Sequence, residues 1–323
     1  MVSKIEISHK TILFTLVVLG ALWFLTHIID IVLLLFVSFT IMSALRPIVE
    51  WLELRKIPRI VSIFVVYIIL VGVVGGAIAG MIPSLVLQST RLIQSLPQVI
   101  STMLPYWNID LSFVSNQIAP LSENIVKFTV GIFTNIMATL TVLVFTFYFL
   151  LERKQLERYL NDLLGEQSGS QIFTLVKRIE VRLGGWVLAE LFLMLFIGIL
   201  SYVGLTILRV EYALPLALIA GILEIVPTIG PIISSVPAII VALSVSPLLA
   251  LSVAALYFIV QQLENQLIVP LVMKKSIGFS PVITLLSLMI GARFAGIAGA
   301  VLAVPIVLVL QELISFFFNK ENR

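Results

Sequence analysis

The sequence predicts an all-α polytopic membrane protein with about seven to eight spans, including two broken-helix hairpins. Composition is the first ground: 60% of the 323 residues are hydrophobic and only 11% are charged. Soluble domains carry about 25% charged residues. Mean hydropathy is +1.16. The second ground is the stretch ALPLALIAGILEIVPTIGPIISSVPAIIVALSV, residues 213–245, which is apolar yet interrupted by Glu224, Pro227, Gly230 and Pro231. Each arm has about 14 residues, or roughly 21 Å of helix, whereas crossing a hydrocarbon core takes about 20 residues. The third ground is the apolar block 281–318, too long for one crossing and interrupted by GARFAGIAGA.

At the N-terminus, Lys4 and Lys10 precede an apolar run at 11–29. No small-residue cleavage site is present and a second apolar run comes at once, so the run is a retained first span rather than a leader. His27 and Asp30 mark a turn, and 31–45 forms the second span. RPIVEWLELRKIPR, residues 46–59, is a charged connection, and 60–82 the third span. Gly72, Gly76 and Gly80 recur there at spacing four, a stripe that permits close helix contact. Residues 83–127 are too polar to cross and form an external amphipathic segment, with Pro97 as a kink. Span four is 128–151. Residues 152–185 form a helical connector, split near 165–170, and 186–208 is span five. The first hairpin occupies about 212–245, the next span 247–269, and the second hairpin 281–318, with a glycine-rich tip near Arg293.

Loop charge sets the orientation. Most lysines and arginines fall in 46–59, 152–185 and 274–275, all on one side by alternation, which is therefore cytoplasmic. Both termini then lie inside and 83–127 outside the cytoplasmic (inner) membrane. The net charge of +3 is spread through these loops and is no nucleic-acid signal. The chain has no cysteine, which excludes disulfides and thiolate metal sites.

Three carboxylates fall within apolar spans: Glu190, Glu224 and Glu264. A charge at mid-membrane costs at least about 2.5–3.5 kcal/mol, so each is a candidate proton carrier or anionic ligand. Glu224 lies one turn before Pro227, where broken helices leave unpaired carbonyls and amides. The alternative is a carboxylate that merely ties the tip together. Gln261, Glu264 and Asn265 stand at i, i+3 and i+4, a polar helix face suited to a cavity or to the headgroup level. Glu190 is either interfacial or buried. Arg293 is a candidate ion-pair partner for Glu224 or Glu264. His9 and His27 are the sole histidines. No nucleotide loop, G-x-S-x-G or H-E-x-x-H motif occurs, so an enzyme is not expected, and no cofactor or metal is implied.

GILEIVPTIGPII (221–233), QQLENQLIVPLVMKKSIGFSPVITLLSLMIGARFAGIAGAVLAVP (261–305) and, more weakly, RPIVEWLELRKIPR resemble the autoinducer-2 exporter family, the PerM-like permeases. The order of these blocks matches over nearly the whole chain. The resemblance implies an oligomeric secondary transporter for a small polar solute such as autoinducer-2, or a sodium/proton antiporter. By position it points to Glu224, Pro227, Gly230 and Pro231, to Gln262, Glu264, Asn265 and Pro270, and to Gly291, Gly296 and Gly299. Relatives often carry glutamine where this chain has Glu190, and a histidine before the proline that here comes after Gly278, Phe279 and Ser280. The expected layout is a scaffold, 1–185, and a transport core, 186–323. A non-transporting membrane scaffold and an intramembrane enzyme are the rival readings from other classes.

Overall fold

A computed structural model describes residues 27–72, 136–227, 229–273 and 280–318, with isolated positions between 14 and 24 and at 75–76. The expected amphipathic segment 83–127, most of span one, Gly80 and the lysines at 274–275 lie outside the described residues. All regular structure among the described residues is helical.

Helix α1 is Ile29–Leu54, α2 Arg59–Gly72 and α3 Ile136–Glu152. Polar residues enter α1 at low cost because Ser38, Thr40 and Ser43 each donate to a carbonyl one turn earlier, at 2.7–2.8 Å. The sequence predicts an end to the second span at residue 45, before Pro47. The helix runs instead to Leu54, with Pro47 inside. Proline has no amide for the Ser43 carbonyl. Gly184 of a later helix covers that carbonyl closely: a Cβ there would lie 2.3 Å from the Ser43 oxygen.

The three helices pack around Met42, Leu45, Val49, Ile63, Val66 and Leu150. Side chains also bond across to main-chain oxygens. Tyr67 donates to Leu143 (2.8 Å), Thr146 to Ser38 (3.2 Å), and Arg59 to Leu150. Arg59 also holds Glu53 at 3.3 Å.

Helix α4, Leu156–Leu164, ends at Gly165, whose φ of 80° suits glycine and breaks the helix where the sequence predicts a split. Beyond Gly165 the chain departs from expectation. Connector and fifth span form one helix, α5, Glu166–Ile207, 42 residues long. No proline or tight turn separates its charged half from its apolar half. At about 1.5 Å per residue it is roughly twice a hydrocarbon core in length.

On its charged half, Glu180 is buried and accepts from Arg153 at 2.5 and 2.8 Å and from Arg46. Arg153 also lies 4.7 Å over the Phe173 ring. Arg182 reaches Glu312 and Gln311, both at 2.8 Å, linking α5 to the C-terminal helix.

After α5 the chain turns through Arg209 and Tyr212, both in the left-handed region. Then come α6 (Ala213–Leu223), α7 (Ile229–Val245) and α8 (Pro247–Leu263). Ser246 caps α8 by accepting from Leu249 N–H at 3.1 Å, with Pro247 in its first turn. A π turn, Glu264–Ile268, leads into α9, Val269–Met273. Helix α10 spans Pro281–Phe318 with a reversal inside it. Helices α5 to α8 share a core that includes Ile197, Leu205, Leu216, Ala220, Val241 and Val253. Val304 and Leu308 of α10 pack on Leu175, Ile179, Leu183 and Trp186 of α5.

Replacing Glu180 with alanine leaves the buried Arg153 without an acidic partner among the described residues, while Arg46 keeps Glu50 at 2.6 Å. The expected loss is about 3–5 kcal/mol of stability, read as a lower melting temperature in detergent. An unchanged melting temperature contradicts the assignment.

Candidate functional site

The two predicted hairpins are present. In the first, α6 ends at Leu223 and α7 starts at Ile229. Pro227 and Pro231 remove two amides at this point, so the main chain turns through Glu224–Pro227 rather than continuing as helix. Gly230 makes the reversal tight: a Cβ on it would stand 1.9 Å from the Leu223 carbonyl oxygen. Gly221 packs closely on α5, 2.7 Å by the same measure from the Met194 carbonyl.

In the second hairpin, Ala295 (φ −138°, ψ 26°) and Gly296 (φ 58°, ψ −137°) leave helical geometry. Only glycine takes the second conformation readily. The chain folds back until Gly291 and Gly299 touch, where a Cβ on either would lie 2.2 or 2.0 Å from the other's carbonyl oxygen. Eight residues of unbroken helix would hold these positions about 12 Å apart. The block 281–318 is therefore two arms and not one rod.

The buried acids converge. Glu190 projects from α5, Glu224 from the first tip and Glu264 from the start of the π turn, with exposures of 3%, 1% and 4%. Glu190, Glu224 and Glu264 lie near enough for their charges to act on one another. Gln261 donates to Glu264 Oε2 at 2.9 Å. Both Glu190 oxygens and Glu224 Oε2 have no hydrogen-bond partner among the described residues. None of the ion pairs there includes these three acids.

The π turn explains how Glu264 is aimed. Pro270 cannot bond back, and the Val269 amide reaches the Glu264 carbonyl, five residues earlier. A π turn widens the helix, a feature frequent at functional sites.

Several candidates stand apart from this group. Gln262 and Asn265 are exposed, so the expected face of Gln261, Glu264 and Asn265 is split. Neighbours in sequence diverge by about 100° around a helix. Arg293 is exposed at the second tip and pairs with neither Glu224 nor Glu264. Pro231 and Gly230 are buried in the first tip, and Pro227 is half-buried. Sequence reasoning missed the Glu180 cluster. Its signal is there: Glu180 shares the helical phase of Leu183 and Trp186, on the face that packs.

The profile of the AI-2E family transporter matches residues 12–319. The chain belongs to the AI-2E transporter family. It is 26% identical over 319 residues to "Putative transport protein YrrI" of Bacillus subtilis (strain 168), an alignment covering 91% of this chain and 87% of that one. It is 28% identical over 291 residues to "Putative transport protein YhhT" of Escherichia coli (strain K12), covering 86% and 82%. It is 22% identical over 297 residues to a sodium-lithium/proton antiporter of Halobacillus andaensis, covering 83% and 84%. As an AI-2E family member with long apolar helices, the chain is a multi-pass membrane transporter. In this AI-2E family member the convergent acids are the candidate site.

Substituting Gly230 by alanine forces the first tip apart from a carbonyl that cannot yield like a flexible side chain. The expected cost is about 1–3 kcal/mol, measured as a drop in melting temperature of the purified transporter. Gly72→Ala, which meets open space on a helix, is the control and should not lower the melting temperature.

Proposed function

We propose that this transporter exchanges protons for a monovalent cation at Glu190, Glu224 and Glu264. The observation that carries the reading is the convergence of three buried carboxyls without a basic partner among the described residues. An unneutralised acid group in an apolar slab holds either protons or cations, because two adjacent bare carboxylates repel. A proton shared by Glu224 and Glu264 is displaced when a cation takes its place, and it returns when the cation leaves. The named activity of the Halobacillus relative supports this choice of coupling ions. Gln261 fixes the Glu264 carboxyl in both conditions.

Export of a small polar solute such as autoinducer-2 is the second reading, favoured by the family to which the chain belongs. In that case the same acids carry the driving protons. Residues 1–185 act as scaffold and 186–323 as the transport core, whose hairpins alternate access while α5 runs unbroken across that boundary. The charged ends of α1 and α5 face the cytoplasm, both termini lie on that side of the inner membrane, and copies of the chain assemble together.

The assay is a pH-sensitive dye in proteoliposomes carrying an acid interior. Sodium added outside should collapse the gradient, and Glu224→Gln or Glu264→Gln should slow the collapse by at least about tenfold with insertion intact. Sodium-independent gradients with proton-driven efflux of a furanone-type solute select the second reading. Wild-type rates in both variants exclude the acids from either mechanism.

A further inference from the structure

Buried hydroxyl groups in this chain have a common habit. Ser38, Thr40 and Ser43 donate one turn back, Thr146 donates to the Ser38 carbonyl, and Ser234 donates to the Pro231 carbonyl at 3.0 Å. Ser201 on α5 and Tyr257 on α8 depart from it. Their exposures are 1% and 8%, yet neither hydroxyl oxygen has a partner among the described residues. A buried, unpaired hydroxyl costs about 1–3 kcal/mol, and in native proteins such groups regularly meet ordered water. Ser201 has a carbonyl within reach one turn back, as every helical serine does. Its hydroxyl is turned away from that default.

The two residues stand near one level of neighbouring helices. Helices α5 and α8 run antiparallel, with Glu190 toward Glu264 at one end and Gly204 against Leu256 at the other. Ser201 is three residues before Gly204 and Tyr257 adjoins Leu256. Ile197 and Leu205, one turn either side of Ser201, share one packed cluster with Tyr257, Leu216 and Val253. Ser201 and Tyr257 therefore both belong to the core shared by α5, α6 and α8. The same helices carry the acids one level deeper. Ser201 is eleven residues from Glu190, about 16 Å along the helix, and six residues from the end of α5, about 9 Å.

We infer that Ser201 and Tyr257 line a second polar subsite, a small water-holding pocket that connects the acid group to the membrane face at which α5 ends. This rests on the proton-exchange reading for its purpose, although the pocket itself does not. The ligand class is water and the hydrated proton. A proton arriving from that face is accepted by one water while another leaves the next water toward Glu190 or Glu264. Each hydroxyl accepts one hydrogen bond and donates another, so neither residue ends charged. Without such a station, a proton would have to cross about 25 Å of apolar seam between the end of α5 and Glu190. With it, the apolar gap is broken into two shorter steps.

The chain contains no cysteine, so one introduced thiol reports alone. A thiol reacts through its thiolate, which forms only in contact with water. Ser201→Cys is close to isosteric. Leu195→Cys, on an exposed position of the same helix, supplies the lipid-facing control. The probe is a small, water-soluble, cationic thiol reagent added to folded protein in sealed vesicles. The expected result is modification at residue 201 at least about tenfold faster than at 195, from the face at which α5 ends. Tyr257→Phe keeps the ring and should slow dye-reported proton movement at least about threefold, with half-saturating sodium unchanged. Equal modification rates at 201 and 195 overturn the pocket, and so does proton movement in Tyr257→Phe equal to wild type when the wild type shows sodium-dependent exchange. Fast modification at 201 in a protein whose Glu224→Gln and Glu264→Gln variants exchange normally keeps the pocket and removes only the exchange reading.

Discussion

Lipid offers no hydrogen bonds, and this chain nevertheless reverses its main chain twice within apolar sequence. That constraint shapes the rest of the structure. Residues 224–227 and 295–296 interrupt the helices, so their carbonyls and amides need shelter from acyl chains. At the first tip the shelter is protein, with Glu224 and Gly230 buried, whereas residues 292–298 at the second tip are mostly exposed. Each reversal is closed by glycines that let backbone meet backbone, Gly230 on Leu223 in one tip and Gly291 on Gly299 in the other. The first tip is then held against α5 through Gly221 and Met194. Small residues do this work because apolar side chains gain little from leaving lipid for one another.

Helix α5 is the common spine. Along its 42 residues, Gly184 receives α1, Met194 and Gly198 receive α6, and Gly204 receives α8. Its charged half binds the N-terminal helices and α10, and its apolar half carries the first hairpin. The same helix thus carries both the hairpin contacts and the Arg46–Glu180–Arg153 cluster.

Two acids on that spine show how environment separates structural from functional roles. Glu180 and Glu190 are ten residues apart and about equally buried. Glu180 is matched by Arg46 and Arg153, and Arg46 also pairs with Glu50. Glu190 has no cation and no hydrogen-bond donor among the described residues, and its neighbours are two more carboxyls. The first arrangement is a lock that resists change. The second leaves buried carboxyls without a fixed cation among the described residues, the setting that the proposed proton and cation exchange uses.

The sequence by itself determined the membrane class, both hairpins and the three acids. These depend on local properties: hydropathy, the missing amides of Pro227 and Pro231, the freedom of Gly296, and the cost of a carboxylate in an apolar run. Its helix ends were less legible. Local pattern ends α1 before Pro47 and separates α5 from its connector, because neither the cover that Gly184 gives to the Ser43 carbonyl nor the cation pair around Glu180 is a local property. Tertiary structure alone decided which polar groups meet. It joined Glu190, Glu224 and Glu264 from three separate elements, left Asn265 and Arg293 outside, and buried Ser201 and Tyr257 with unpartnered hydroxyls. Those outcomes depend on the register between helices, and register is fixed by close backbone contacts between residues distant in the chain.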